Sequence, residues 1–342
     1  MAASPIALVR SAVLMPVAAF LDQERVPYEG LFEAAKLSPQ VVERPDDLIP
    51  LAQGCALLEK IARATGLEDI GLLAASKINI PTFGQYGDLV CGSATLFEAL
   101  HRLIGGVTTF NTGERLSLEW RSKHLFLCHK LVMRPTPGKR YGDFYSMAVM
   151  VKTVQCALGS EWKPDLILLP AYERVRKRQY EAFFRTNISF ENDAWAINIP
   201  PSRLADPIRK AERPASSNPP SLAEHLPSTP DDDLIGSLRA MIRPSLRLSY
   251  PDLGHAAGLA GISVSTLQRR LREFGLTYSD LVETERLRLS IELLAQEDIK
   301  ICDVAAELGY TESANFIRAF RKWTGLTPST FRSHQLGPRP AK

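Results

Sequence analysis

The chain of 342 residues is 45% apolar and 23% charged, the balance of a folded protein with room for more than one core rather than of a disordered or fibrous chain. Its five cysteines, Cys55, Cys91, Cys128, Cys156 and Cys302, are scattered, odd in number and without C-x-x-C pairs, which argues against a disulfide framework or a zinc site and for a reducing cytoplasm. The net charge of +3 is uneven: Leu234 to Lys342 carries 15 Lys and Arg against 11 Asp and Glu, and the remainder 26 against 27, so a mildly basic tail follows a near-neutral body.

Arg10 is followed by an apolar run, Ser11 to Leu21, that Pro16 interrupts and no small-residue cleavage site follows. It is far shorter than the ~20 residues that cross a bilayer, so it reads as a buried first helix. Leu51 to Thr65 puts Leu51, Cys55, Leu58, Ile61 and Ala62 on one helical face, and Thr95 to Ile104 does the same with Leu96, Leu100 and Leu103. Strand-like runs follow at 115–120, 124–133, 165–170 and 194–200, rich in β-formers and bounded by Gly, Pro and Asn. These elements predict an α+β body over residues 1–205.

Pro207, Pro214, Pro219, Pro220, Pro227 and Pro230, with an acidic DDD, make 206–232 a Pro-rich linker. Beyond it the pattern is all helix: 233–247, 252–259, 263–274, 278–296, 301–308, 312–323 and 328–334, with 335–342 left as a tail. Pro251 and Ser263 mark starts, and Gly261, Gly275, Gly309 and Gly325 mark turns or ends.

This helical stretch repeats itself. Leu253, Ala256, Ala257, Ala260, Gly261 and Ile262 recur as Ile301, Val304, Ala305, Leu308, Gly309 and Tyr310 at an offset of 48, and Leu267, Leu271 and Phe274 as Phe316, Phe320 and Trp323 at 49. Each copy suits a helix-turn-helix: a small residue where two helices cross, Ala257 or Ala305, a glycine in the turn, and apolar residues of the second helix facing inward. The outward face holds Ser265, Gln268, Arg269 and Arg272 in the first copy and Thr311, Asn315, Arg318 and Lys322 in the second. Arg suits guanine, and Asn or Gln suits adenine, while Lys, Arg, Ser and Thr suit phosphate. A solvated face is the common fate of one such stripe; two in tandem on a basic domain point to duplex DNA.

The segment ICDVAAELGYTESANFIRAFRKWTGLTPSTFR, 301–332, resembles the signature of AraC/XylS-type bacterial transcription regulators, and STLQRRLREFG, 265–275, resembles the family's first recognition helix. The resemblance implies an all-α domain of seven helices with two helix-turn-helix units joined by a long helix at about 278–296, occupying 233–334. It implies base contacts from Ser265, Gln268 and Arg269 in one unit and from Ser313, Ala314, Asn315 and Arg318 in the other. At Ala314 a polar residue is sometimes found, so readout there reduces to contact with a thymine methyl. The body resembles the "arabinose-binding" type of effector and dimerisation domain, in its ornithine-regulator-like branch, over 49–75 and 84–120. The sugar in that name is not implied.

The alternative is a DNA-binding domain fused to an enzymatic body. The chain has no G-x-S-x-G, H-E-x-x-H or Walker A sequence, and its six histidines lack metal-ligand spacing. Nonspecific architectural binding would call for a more basic surface than +4. The expected partners are duplex DNA, RNA polymerase, a small-molecule effector and a second copy of the chain, in the cytoplasm at the nucleoid, with no cofactor, metal or membrane. No motif marks the effector site. Tyr86, Phe110, Trp120 and Trp162, with His124 and His129, are candidates for a pocket wall, although core packing is the commoner role for such residues.

Overall fold

The computed structural model describes residues 5–121, 124–133, 135–191, 195–208, 234–246, 252–296 and 298–336. The chain divides into two compact units, one over Ala7–Thr229 and one that holds Pro230–Lys342. The segment read as a linker lies outside the described residues from position 209 to its end. Its first residues belong to the body instead. Ile208 is buried and donates its N–H to the Ala94 carbonyl at 3.0 Å, while Leu96 donates to the Asp206 carbonyl at 3.2 Å. The ordered pairing with 94–96 therefore carries the body past the expected end at 205.

In the N-terminal unit β1 (Leu8–Arg10) pairs antiparallel with β2 (Leu48–Pro50). Between them lie α1 (Met15–Gln23) and α2 (Glu29–Ala34). Pro16 sits in the first turn of α1, where its missing N–H costs nothing, and Val17, Phe20 and Leu21 are buried. Next come α3 (Leu51–Thr65), α4 (Ile70–Ala75), α5 (Gly84–Cys91) and α6 (Leu96–Phe110). The five positions expected on the inner face of α3 are all buried. The Thr95 hydroxyl caps α6 by accepting from the Glu98 N–H at 3.2 Å. This helix outruns its expected end at Ile104, because Val107 and Phe110 extend its buried stripe across the Gly105–Gly106 pair.

The second half is a mixed sheet in the order β3-β4-β7-β5-β6, formed by β3 (Glu114–Arg121), β4 (His124–Leu131), β5 (Leu166–Pro170), β6 (Asn187–Glu191) and β7 (Ala196–Ile199). All neighbours are antiparallel except β5 and β6, which pair in parallel with Ile167 opposite Ile188. The crossover between those two carries α8 (Lys177–Phe184). The central helix is α7 (Lys139–Leu158), which packs on α3, α4 and α6. It has no counterpart in the sequence reading. Phe144, Tyr145, Met147, Ala148, Met150, Val151 and Val154 are all buried and surround the helix, so there is no single stripe to detect. Gly138 starts α7 at φ +83°, and a Cβ there would stand 2.0 Å from the Cys55 carbonyl oxygen, so only glycine lets the helix begin so close to α3.

The C-terminal unit contains α9 (Leu234–Ser245), α10 (Leu253–Ala260), α11 (Val264–Glu273), α12 (Tyr278–Leu294), α13 (Ile301–Glu307), α14 (Ser313–Thr324) and α15 (Pro328–Leu336). Every boundary lies within two residues of expectation. The start mark at Pro251 lies outside the described residues, and the Asp252 carboxylate caps α10 by accepting from the Gly254 and His255 N–H groups. Both tandem pairs close with the same turn. Ile262 donates to the Ala257 carbonyl at 3.0 Å and Tyr310 to the Ala305 carbonyl at 2.9 Å, over glycines with φ +62° and +77°. Ala257 and Ala305 are each 1% exposed, as their place at the helix crossings demands.

One inward assignment fails. Phe274 is 65% exposed, because α11 ends at Glu273 and the chain turns away at Gly275 before the ring can reach the core. Its counterpart Trp323 lies inside α14, where its indole N–H donates to Glu283 of α12 at 3.3 Å.

Candidate nucleic-acid interface and a cavity in the N-terminal unit

The core of the second pair is an aromatic ladder, with ring centroids 5.9 Å apart for Tyr310–Phe316, 5.7 Å for Phe316–Phe320 and 5.3 Å for Phe320–Phe331. Arg286 of α12 locks this pair to the joining helix. Its Nε donates to the Leu308 carbonyl at 3.2 Å and its guanidinium lies 4.8 Å from the centre of the Tyr310 ring. At the N-terminus of α12, Thr277 and Asp280 form a reciprocal capping box, and the bonds to Thr277 hold the Asp280 carboxyl below the ordinary range. The first pair has a smaller core, in which Leu267 and Leu271 of α11 and Ala256, Ala257 and Ala260 of α10 are buried where the two helices meet.

With their inner faces fixed this way, α11 and α14 turn a polar face to solvent. Ser265, Gln268, Arg269 and Arg272 are all exposed on α11. The Ser263 hydroxyl accepts from the Thr266 N–H at 3.1 Å and lies 2.9 Å from the Ser265 hydroxyl, which holds Ser265 at the exposed helix start. On α14, Ala314, Arg318 and Lys322 are exposed, and Ser313 and Asn315 are half-buried. Thr311 is exposed but precedes the helix. Arg318 Nη2 donates to Asn315 Oδ1 at 2.5 Å, so two of the candidate reading side chains satisfy one another. Lys322 Nζ stands 4.0 Å from the Glu283 carboxylate.

The offset of 49 within the second helices superposes Arg269 on Arg318 and Arg272 on Arg321. Arg321 is exposed and escaped the sequence reading, which followed the polar stripe one residue further, to Lys322. Carrying the repeat offset through the whole helix is the signal that finds it.

The N-terminal unit holds a second feature, a cavity of about 90 Å³ among α3, α5, α6, α7 and the start of β3. Its walls are aliphatic and aromatic, with Tyr86 and Phe110 among them. Trp120 is not in the wall and is 64% exposed, and Trp162 packs against the core elsewhere. Tyr86 stacks on Phe110 with centroids 5.0 Å apart, and its hydroxyl donates to the Leu103 carbonyl at 2.9 Å.

Among the described residues the one carboxylate in the wall is Glu114, 5% exposed. Its Oε2 accepts from Ser146 at 2.9 Å and from Asn111 at 3.3 Å, and its Oε1 lies 2.6 Å from Nδ1 of His129. Behind the wall His129 Nε2 is 3.8 Å from Asp143, whose carboxylate accepts from Lys139 at 2.9 Å. Burial raises the Asp143 carboxyl above its ordinary range, while His129 and Lys139 pull it down. His124, by contrast, lies exposed at the start of β4. Burial also pushes the Cys55 thiol up to about 12, so this wall presents no thiolate at neutral pH.

Residues 26–208 match the family model described as the arabinose-binding domain of AraC transcription regulator, N-terminal, and residues 256–334 match a helix-turn-helix domain. The chain belongs to the AraC family of transcription regulators. The regulator is 26% identical over 333 residues to the ornithine utilization regulator of Pseudomonas aeruginosa, covering 94% of this chain and 97% of that one. It is also 26% identical over 321 residues to the HTH-type transcriptional regulator VirS of Mycobacterium tuberculosis, covering 92% of each. A crystal structure of the transcriptional regulator CdpR from Pseudomonas aeruginosa aligns at 20% identity and TM-score 0.44, over 94% of this chain and 98% of that one.

The regulator is thus a DNA-binding transcription factor with an α+β effector-type domain and a double helix-turn-helix domain, and its relatives are regulators rather than enzymes. Among the described residues no helix is long and apolar enough to cross a membrane.

Proposed function

We propose that the regulator reads two successive major-groove segments on one face of duplex DNA with α11 and α14. Ser265, Gln268 and Arg269 contact base edges in the first segment, and Ser313, Ala314, Asn315 and Arg318 in the second. Ala314 contributes only a methyl contact. Arg272, Arg321 and Lys322 hold phosphates and set the register. The observation that carries this reading is the pair of exposed arginines, Arg269 and Arg318, at the same place after two turns with the same hydrogen bonds. Bidentate donation from Arg to guanine is the commonest specific contact in the major groove.

On this reading the N-terminal unit pairs two copies of the chain and binds a small-molecule effector, and the DNA-bound dimer acts on RNA polymerase in the cytoplasm, at the nucleoid. A monomer offers two reading helices and a dimer four, so the second engagement becomes intramolecular and raises avidity by ~10²–10⁴. An effector that favours one dimer geometry by ~1–3 kcal/mol then changes operator occupancy 5- to 150-fold, in order of magnitude. Sedimentation and titration of the full chain and of residues 230–342, on one-site and two-site DNA, test this. The full chain is expected to be dimeric and to prefer two-site DNA far more strongly. Monomers of equal affinity for two-site DNA would overturn the role given to the N-terminal unit.

A further inference from the structure

We propose that the cavity of the N-terminal unit is the effector site, and that it takes a small, mainly apolar molecule with one hydrogen-bond-donating head, an alkylamine or an alcohol, directed at Glu114. This inference rests on the effector-controlled reading above. Three observations define the ligand class.

The first is size. The cavity measures about 90 Å³, and a dry apolar cavity of ~150 Å³ admits benzene, so there is room for about four non-hydrogen atoms.

The second is the wall. Val17, Leu58, Leu103, Val107, Leu116 and Met150 are typical of it. A sugar, with a hydroxyl on nearly every carbon, would leave donors and acceptors without partners against such a surface, at a cost for each group. An alkyl tail would not.

The third is charge. Among the described residues the lining contains no Lys or Arg to neutralise a carboxylate or phosphate, and Glu114 repels both. Glu114 is instead an acceptor with capacity to spare. A carboxylate offers about four lone-pair sites, and among the described residues three of those of Glu114 are met, by His129, by Ser146 and, at a longer 3.3 Å, by Asn111. His129 stands between Glu114 and Asp143, and Lys139 pairs with Asp143, so the cluster has its own basic partners. An ammonium or alcohol head therefore adds a hydrogen bond to the Glu114 carboxylate, which an anionic head cannot do.

The supports around Glu114 fix its direction. His129 holds one oxygen from β4, and Ser146 holds the other from α7. Asn111 is itself fixed, because its side-chain oxygen accepts from the Gly113 N–H at 3.0 Å. A ligand head at Glu114 therefore touches a group tied to β3, β4 and α7 together. Occupancy is coupled in this way to the packing of the sheet on the central helix, which is the coupling an effector needs.

The test uses the full-length protein and three probes with one tail and different heads: propylamine, 1-propanol and propionate. Calorimetric titration is expected to show propylamine and 1-propanol binding at least tenfold more tightly than propionate. Glu114→Gln, which keeps the shape of the wall, is expected to bring propylamine and propionate within about threefold of each other. Val107→Phe, which fills the cavity, is expected to abolish binding of all three, with circular dichroism of each variant checking the fold. The wild-type comparison needs no variant, so it stands even if a substitution prevents folding. Propionate binding as tightly as propylamine, or no probe binding at all, overturns the cavity assignment and leaves effector control elsewhere untouched. Probes that bind as expected while operator affinity stays unchanged overturn the effector role instead.

Discussion

Alanine at Gly309 separates two costs that a turn glycine combines, and Gly275 provides the control. Gly309 has φ +77°, and a Cβ there would lie 2.0 Å from the Leu246 carbonyl oxygen. Gly275 has φ +70°, and a Cβ there meets nothing within 4 Å. The left-handed backbone costs alanine ~1–2 kcal/mol at either site. The lost freedom of the unfolded chain offsets ~0.4–1 kcal/mol of it.

Only at Gly309 must a backbone oxygen also retreat, by more than about 1 Å to reach ordinary contact. That oxygen belongs to the residue just after α9, which packs on α12. The movement disturbs the bond from Arg286 to the Leu308 carbonyl, and a hydrogen bond to a charged group is worth ~1.5–3 kcal/mol. Gly275→Ala should therefore cost about 1 kcal/mol and Gly309→Ala about 3–5 kcal/mol. At ~4–8 °C per kcal/mol for a domain of this size, the melting midpoints should fall by about 4–8 °C and by at least about 12 °C. Thermal melting of residues 230–342, checked against the matching transition in the full chain, measures both. Equal falls would refute the close approach of the turn to the end of α9.

Arg318→Ala and Gln268→Ala should each weaken specific binding by ~1–3 kcal/mol and relax preference at one base pair, read by titration against point-mutated operators. Equal losses on every sequence would reassign the residue to phosphate. Arg321→Ala and Lys322→Ala should lower affinity evenly across sequences and flatten its salt dependence, with a slope change of ~1 each; an unchanged slope would remove them from the backbone. The Cys156 thiol is lowered by its contact with Cys91, whereas burial holds Cys128 up at about 11 and Cys55 at about 12. A lowered thiol pKa means more thiolate at a given pH, so alkylation of Cys156 should reach its plateau at lower pH than that of Cys128. Peptide mass spectrometry follows this, and a Cys156 rate that levels off no earlier than that of Cys128 would contradict the contact.

The C-terminal helices can be read from the sequence because each part of the signal is local. A small residue at the crossing, a glycine in the turn and a single apolar stripe are all visible within twenty residues, and the repeat states them twice. The exception, Phe274, arises where a helix stops one residue short, which periodicity does not register.

In the N-terminal unit the signal is non-local. α7 is surrounded, so its apolar residues have no preferred side. β6 is short and only Ile188 in it is buried, so it depends on its pairing with β5. The cavity carboxylate is the least legible of all. Glu114 opens a strand and looks like a surface residue until α7 brings Ser146 to it and β4 brings His129. Contacts that join positions 32 and 15 residues apart leave no periodic trace. Tyr86 and Phe110 could be guessed as pocket aromatics, but nothing in the sequence separates them from Trp120, which the fold leaves outside.

The bond between Arg318 and Asn315 bears on how an operator is scored. On the proposed reading, a matched site draws the two side chains apart, one to each base. At a mismatched base pair the arginine has somewhere to return to, so the error forfeits a gain without stranding a donor, and the penalty is smaller than that of an unpaired buried group. The two base pairs also cease to be independent, because releasing Arg318 frees Asn315 and occupying either one changes the cost at the other. A table of single-base preferences would misjudge such an operator, and the double substitution at those adjacent positions should cost measurably less than the two single substitutions together.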